Sequence, residues 1–283
     1  MGFHEVGMMS QIQFEKLASV EAVLNYTEPT QVRPAFYLYE ADPPEQRDAR
    51  VSARHTVPIF DIRSQMAKVT LDDNGVCFVQ QELPDLDFLN LDTVKSQYYS
   101  KCTELVKRAT GASRVLAFDH NVRDKELAER DAASRPVRFA HNDYTEKSGP
   151  QRVRDLMGDE APALLNNRYQ FINVWRPLRG PVLDTPLAVC DAASLESQDF
   201  IATDLRYRDR TGEIFSFQYN EKHRWMFLRD MRADEIILLK CFDSATDGSA
   251  RYTAHSAFRD PRAPADAEVR RSIEVRTIAF FPS

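Results

Sequence analysis

Arg138-Phe139-Ala140-His141-Asn142-Asp143-Tyr144-Thr145, near the middle of the chain, sets a histidine and an aspartate two residues apart in a stretch that reads as strand. With the two-residue period of a β-strand, both side chains leave the same face. His-x-Asp alone is a cheap motif in a chain with six histidines. A strand-end histidine hydrogen-bonded to a nearby carboxylate accounts for it more simply. A second histidine from a distant strand changes the reading, because two imidazoles and one carboxylate form the facial donor set of non-haem Fe(II) sites.

The chain offers that histidine. His255 sits in Tyr252-Thr253-Ala254-His255-Ser256-Ala257-Phe258, a strand-like stretch far downstream, where a core histidine near a sheet edge is the plainer reading. Past the loop 259–268 comes Arg270-Arg271-Ser272-Ile273-Glu274-Val275-Arg276. On a strand, Arg270, Ser272, Glu274 and Arg276 share one face. Such a polar row belongs either to a solvated face or to a polar pocket. In a pocket, an arginine recognises a carboxylate with two parallel N–H donors, and a serine hydroxyl can add a third.

The bulk composition excludes several classes. At 283 residues, with 43% hydrophobic and 28% charged residues, the chain is an ordinary globular protein with room for one sizeable core. A net charge of −6 gives no footprint for nucleic acid. No apolar run approaches a membrane span, and no basic-then-apolar signal segment opens the sequence. Cys77, Cys102, Cys190 and Cys241 are far apart and form no Cys-x-x-Cys pair, which points to reduced, buried thiols and a cytoplasmic location.

Residues 1–35 show little periodicity and read as a lead-in, with 26–34 a loop. Strand candidates follow at 36–39 and 56–62. A hairpin is expected from 66–71 and 76–80 around Asn74-Gly75, a strong turn signal. The clearest helix is capped by Asp92, carries Val94, Tyr98, Cys102, Leu105, Val106 and Ala109 at helical spacing, and stops at Gly111. Residues 114–118 read as a short strand, and the charged run 119–135 as a mobile loop. Ser148 and Pro150 suit a helix start. Further strands are expected at 169–175, 187–190, 235–242, 252–258 and 272–281, with 213–219 and 224–228 joined as a pair. From residue 136 on, many short strands broken by turns point to a jelly roll or barrel.

The order of these stretches, His-x-Asp, long insert, His, then Arg-x-Ser, resembles that of the Fe(II)/2-oxoglutarate-dependent oxygenases. The wording is closer still. His141-Asn142-Asp143-Tyr144-Thr145 followed by Ser148-Gly149-Pro150 and Arg152 is similar to the motif of the gibberellin desaturase, AsaB, NvfI and CmcJ-like family. Three further blocks share the likeness: Asn173-Val174-Trp175-Arg176-Pro177-Leu178; Lys240-Cys241-Phe242-Asp243-Ser244 with Asp247-Gly248 and Ala250-Arg251-Tyr252; and the His255 and Arg270–Arg276 stretches. The resemblance runs from about residue 20 to the C-terminus and is most specific in the second half.

That resemblance implies a mainly β fold with flanking helices (α+β), a double-stranded β-helix of the jelly-roll, cupin-like kind. One oxygenase domain would span 1–283, with a β-rich preface and helix over 1–135 and the iron-bearing core over 136–283. His141, Asp143 and His255 would hold the metal. Arg270 and Ser272 would anchor 2-oxoglutarate, with Arg276 on the same face as the rival anchor, and Tyr144, Trp175 and Arg176 would form the pocket wall. Fe(II), 2-oxoglutarate and O2 would be consumed in hydroxylation or desaturation of a small molecule in specialised metabolism. No nucleic-acid or membrane partner is expected, and a homodimer is possible. Two other classes remain open: a cupin-like metal-dependent isomerase or hydrolase, and a non-catalytic small-molecule-binding protein on the same scaffold.

Overall fold

A computed structural model describes residues 11–38, 52–124 and 136–282. Their fourteen strands form two sheets. The smaller sheet is built from β4 (Val76–Gln80), β5 (Arg114–Arg123), β7 (Tyr169–Pro177), β12 (Glu235–Asp243) and β14 (Ser272–Phe280), in the order β4-β12-β7-β14-β5. All its pairings are antiparallel.

The larger sheet takes its middle from short strands. These are β6 (His141–Asn142), β8 (Leu187–Cys190), β10 (Thr211–Phe217), β11 (Trp225–Phe227) and β13 (His255–Ala257). β1 (Ser19–Thr27) and β3 (Ser52–Asp61) extend one side, and β2 (Ala35–Tyr37) and β9 (Phe200–Arg206) the other, giving the order β1-β3-β11-β8-β13-β6-β10-β9-β2.

Alternation along the strands explains the layers. Phe171 and Trp175 of β7, Ile237, Leu239 and Cys241 of β12, and Ile278 of β14 meet Leu187, Val189 and Met226 of the larger sheet in one interior cluster. The intervening residues Ile172, Val174, Ile236, Leu238, Ile273 and Val275 face outward onto a helical layer. β7 and β12 are therefore buried at every position, as strands covered on both faces must be. Two sheets enclosing one interior, with helices against the smaller, make a double-stranded β-helix of the jelly-roll type.

That helical layer is α2 (Leu91–Thr93) continuing through a π turn (Val94–Tyr98) into α3 (Tyr99–Thr110). Tyr98, Cys102, Leu105 and Val106 pack on the sheet. Asn90, not Asp92, caps it, its side chain accepting from the backbone N–H groups of Asp92 and Thr93. Gly111 ends it in the left-handed conformation with φ 73°. Among the described residues, no helix is long and apolar enough to cross a membrane.

Several expectations fail, each for a local reason. The lead-in holds β1, whose Val20, Ala22, Leu24 and Tyr26 pack against Cys190, Phe217 and Trp225 in a third cluster. The hairpin around Asn74-Gly75 does not form. Thr70 caps a short helix, α1 (Leu71–Asn74), and Gly75 supplies its left-handed end, so β4 pairs with distant β12 instead. The pair at 213–219 and 224–228 also separates: β10 joins β6 and β9, while β11 joins β3 and β8. Strand β5 continues to Arg123 into the stretch expected as loop, and residues 125–135 lie outside those described.

Candidate metal centre

β6 and β13 are neighbours in the larger sheet, and His141 and His255 stand directly opposite each other across that pair. Their ring centroids are 4.3 Å apart. Asp143 follows β6, with Oδ1 3.8 Å from His141 Nε2. One donor atom from each of the three residues lies within 4.8 Å of the others, close enough to share one metal ion.

Asn142 fixes this meeting point. Its side chain donates to the Tyr144 carbonyl at 2.7 Å and the Cys241 carbonyl at 2.9 Å, and accepts from the Thr253 amide at 3.3 Å. The middle residue of His-x-Asp thus binds β6 to β12 and to the start of β13. Thr145 does the corresponding work for the helix that follows, α4 (Ser148–Met157). Its hydroxyl oxygen accepts from the Lys147 and Ser148 amides, while its hydroxyl donates to Glu213. Thr145, rather than Ser148, therefore supplies the side-chain cap.

Each histidine has its tautomer set by the backbone. His141 Nδ1 donates to the Phe139 carbonyl at 2.9 Å, and His255 Nδ1 to the Thr253 carbonyl at 3.1 Å. Nε2 is left on both rings as a lone-pair donor aimed at the shared point. Burial, helped by the neighbouring His255, pushes the His141 pKa down to about 3, so its imidazole is neutral at ordinary pH. Burial alone would raise the Asp143 carboxyl pKa. The Arg276 guanidinium, the two imidazoles and the Asn173 amide outweigh it and hold the group well below the usual carboxylate range. A neutral His141 imidazole and an ionised Asp143 carboxylate are the states in which those groups can hold a divalent metal.

The cavity beside these donors is lined by Leu187 and Ala257 of the larger sheet, by Arg123, Trp175, Glu274 and Arg276 of the smaller, and by Val137 and Arg270 from the segments that lead into β6 and β14. Arg270 is only 5% exposed, yet its one hydrogen bond runs from Nη1 to the Thr185 carbonyl at 2.7 Å. Its Nε has no partner, and the guanidinium lies 5.1 Å above the Trp175 ring. Burial, with Arg123 nearby, pushes its pKa down to about 9, still far above neutral pH, so the charge remains and calls for an anion. Ser272 Oγ, fully buried two residues along the same strand face, is also without a partner. A buried guanidinium with an unpartnered nitrogen beside the cavity suits a carboxylate, and the three convergent donor atoms suit a divalent metal such as Fe(II).

Arg276 contrasts with Arg270. Its Nε donates to Asp143 Oδ2 at 3.1 Å, Nη1 to Asp119 at 3.0 Å, and Nη2 reaches Glu274 at 3.0 Å. Of the expected pocket wall, Trp175 lines the cavity, whereas Tyr144 is stacked on Phe171 at 4.1 Å, deeper in the interior. Arg176 points to the other face of β7. There it is fully buried and donates to the carbonyls of Gln81, Glu82 and Ala233. Its place between Trp175 and Pro177 dictates this, because odd and even residues leave opposite faces. Arg176→Ala strands those carbonyls and should destabilise the fold by about 3 kcal/mol or more while leaving metal content unchanged, as urea unfolding and metal analysis would show.

Asn142, Asn173, Arg123 and Glu274 were not assigned roles from the sequence. Strand alternation places Asn173 on the face of Trp175, and Glu274 shares the face of Arg270, but their partners are visible only in three dimensions. A much larger groove, about 1630 Å³, lies elsewhere, bordered by Asp72, Asp73, Arg168, Asp191, Asp247 and Tyr252, and is not lined by His141, Asp143 or His255.

Comparison with known proteins agrees with this geometry. Residues 24–280 match a family model described as an oxidoreductase/YMDC permease-like domain. The Fe(II)/2-oxoglutarate-dependent dioxygenase nvfI of Aspergillus novofumigatus is 36% identical over 233 residues, covering 80% of this chain and 83% of that protein. The hydroxylase/desaturase efuI of Hormonema carpetanum is 32% identical over 249 residues, with 80% and 83% covered. A solved structure of the iron and alpha-ketoglutarate-dependent endoperoxidase NvfI superposes with a TM-score of 0.87 at 28% identity, covering 95% of this chain and all of that one.

Proposed function

Because this chain belongs to the Fe(II)/2-oxoglutarate-dependent dioxygenase family that includes the NvfI endoperoxidase and the hydroxylase/desaturases, we propose that His141, Asp143 and His255 are its iron ligands and that Arg270, with Ser272, anchors its 2-oxoglutarate. The chain is an enzyme that uses Fe(II), 2-oxoglutarate and O2 to oxidise a small molecule in specialised metabolism. The observation that carries the site assignment is one cavity lined both by a convergent three-donor set and by a buried arginine that, among the described residues, makes no carboxylate ion pair.

When bound, the iron and the oxo acid would let O2 serve as the oxidant, one oxygen atom entering succinate as 2-oxoglutarate loses CO2 and the other oxidising the substrate. The protein's part is placement. His141 and His255 present Nε2 because Phe139 and Thr253 hold the other nitrogen of each ring. Arg270 takes the distal carboxylate of the oxo acid, and Ser272 donates its hydroxyl to the same group. Trp175 lies flat beneath that guanidinium, keeps it in place through cation–π contact and excludes water from the anion. Val137, Leu187 and Ala257 give the substrate side of the cavity an apolar lining. Hydroxylation or desaturation is the outcome we assign, on a C–H bond held against this lining. The four free thiols fit a reducing compartment such as the cytoplasm.

The test is turnover of the co-substrate. With Fe(II) and O2, the purified protein should convert 2-oxoglutarate to succinate one for one with oxygen consumed, and under nitrogen the same mixture should develop a visible charge-transfer band. If neither succinate nor the band appears, the assignment of the site is wrong.

A further inference from the structure

The carboxylate of Asp143 has two oxygens, and the structure treats them differently. Oδ1 faces the imidazole nitrogens, 3.8 Å from His141 Nε2. Oδ2 accepts two hydrogen bonds, from Asn173 Nδ2 at 2.8 Å and from Arg276 Nε at 3.1 Å. Those donors come from adjacent strands, since Asn173 and Arg276 are register partners across β7 and β14. The rest of the Arg276 guanidinium is held by Asp119 and Glu274, and the Asn121 amide oxygen, in its hydrogen-bonding orientation, lies 2.7 Å from Nη1. Two bulges border the spot, after Arg276 on the β5 side and around Cys241 in β12. Bulges of this kind redirect side chains beside functional sites.

We infer that Asn173 and Arg276 are positioning residues that restrict Asp143 to one metal-binding oxygen. The inference rests on the assignment of His141, Asp143 and His255 as iron ligands. An aspartate side chain turns easily about its last torsion, so nothing within the residue itself prevents both oxygens from reaching a metal. Here the second oxygen is engaged by two donors, one of them cationic, and turning it inward breaks both bonds. The count of positions shows why this matters. A six-coordinate metal with three protein donors has three positions left, which a chelating oxo acid and O2 fill between them. A two-oxygen aspartate leaves only two, and the oxo acid alone occupies those.

This gives Arg276 a task distinct from that of Arg270, although both project from one strand face. The test compares Asn173→Ala and Arg276→Gln with the parent and with Arg270→Ala. Three measurements are needed: Co(II) affinity of the metal-free protein, the visible band of the Fe(II)–2-oxoglutarate complex under nitrogen, and steady-state oxygen consumption. Both positioning variants should still bind Co(II), shift the visible band, and lose about 10- to 100-fold in kcat with the KM for 2-oxoglutarate little changed. Arg270→Ala should do the opposite, raising KM with the band position preserved. An unshifted band with parental kcat in Asn173→Ala overturns the inference, even if that variant melts earlier. So does an Arg276→Gln variant that changes only the KM for 2-oxoglutarate. If Arg276→Gln fails to fold, Asn173→Ala decides alone. A parent protein that binds no Co(II), or a His255→Ala variant that binds it normally, refutes the ligand assignment itself.

Discussion

Replacing His255 with alanine should leave a folded protein that no longer retains iron. His255 offers one of the three donor atoms that converge on the site among the described residues, and the remaining pair, from His141 and Asp143, sit within one tripeptide. Two donors that close in sequence cannot enclose a metal, so affinity should fall by more than the roughly 100-fold that marks the loss of a ligand's supporting hydrogen bond. The fold should survive because β13 keeps its pairings with β6 and β8, which are made by backbone. The lost side chain leaves a small polar gap where the cavity already lies. Metal content after dialysis, read beside circular dichroism, separates the outcomes: native secondary structure with parental iron content would overturn the ligand assignment.

The second large effect belongs to Arg270→Ala. A buried guanidinium that meets a carboxylate is a fully desolvated pair, and truncating one partner of such a pair costs about 2–5 kcal/mol, roughly 30-fold to a few thousand-fold in affinity. Binding of 2-oxoglutarate should weaken by that amount while iron binding stays within a few-fold. A further consequence gives the experiment a second readout. In the ligand-free protein this buried charge has Glu274 and Asp184 in its surroundings but makes no carboxylate ion pair among the described residues, and its removal relieves a desolvation penalty, so the apo variant should melt no lower than the parent. Adding 2-oxoglutarate should raise the melting temperature of the parent and not that of the variant. An Arg270→Ala protein whose melting temperature still responds fully to 2-oxoglutarate would transfer the anchor to another residue.

The sequence exposed the chemistry more readily than the layers around it. Strand β12 was legible because its apolar run is too continuous for a half-exposed strand and has one comfortable place, the covered sheet, whereas β7 and β14 were legible from their two-residue alternation. The donor set was legible because its types and order are restrictive. β1 was not, since its inward residues Val20, Ala22 and Leu24 alternate with outward Glu21 and Val23 over a short span, and only the partner surface makes that alternation meaningful. Asn74-Gly75 misled because a left-handed glycine ends a helix as well as it turns a hairpin. Arg176 misled for a simpler reason: its neighbour Trp175 faces the cavity, so it cannot. Arg270 and Arg276 were indistinguishable from spacing, and it is their partners, one backbone carbonyl for the first and three carboxylates for the second among the described residues, that separate them.

The pairing of β6 with β13 also constrains the order of events in the life of the chain. Asn142 and the Thr253 amide it holds are 111 residues apart, and Asp143 and the Arg276 that steadies it are 133 apart. Contacts so remote in sequence close late, after local helices and hairpins have formed. The C-terminal segment that ends in β14 brings both Arg270, just ahead of the strand, and Arg276, so a nascent chain lacking it has neither of the two guanidinium groups that line the cavity. Iron loading is therefore a finishing step. A growing or partly melted polypeptide presents scattered side chains rather than an oxygen-activating centre, and the oxidising chemistry is withheld until the surrounding walls are in place.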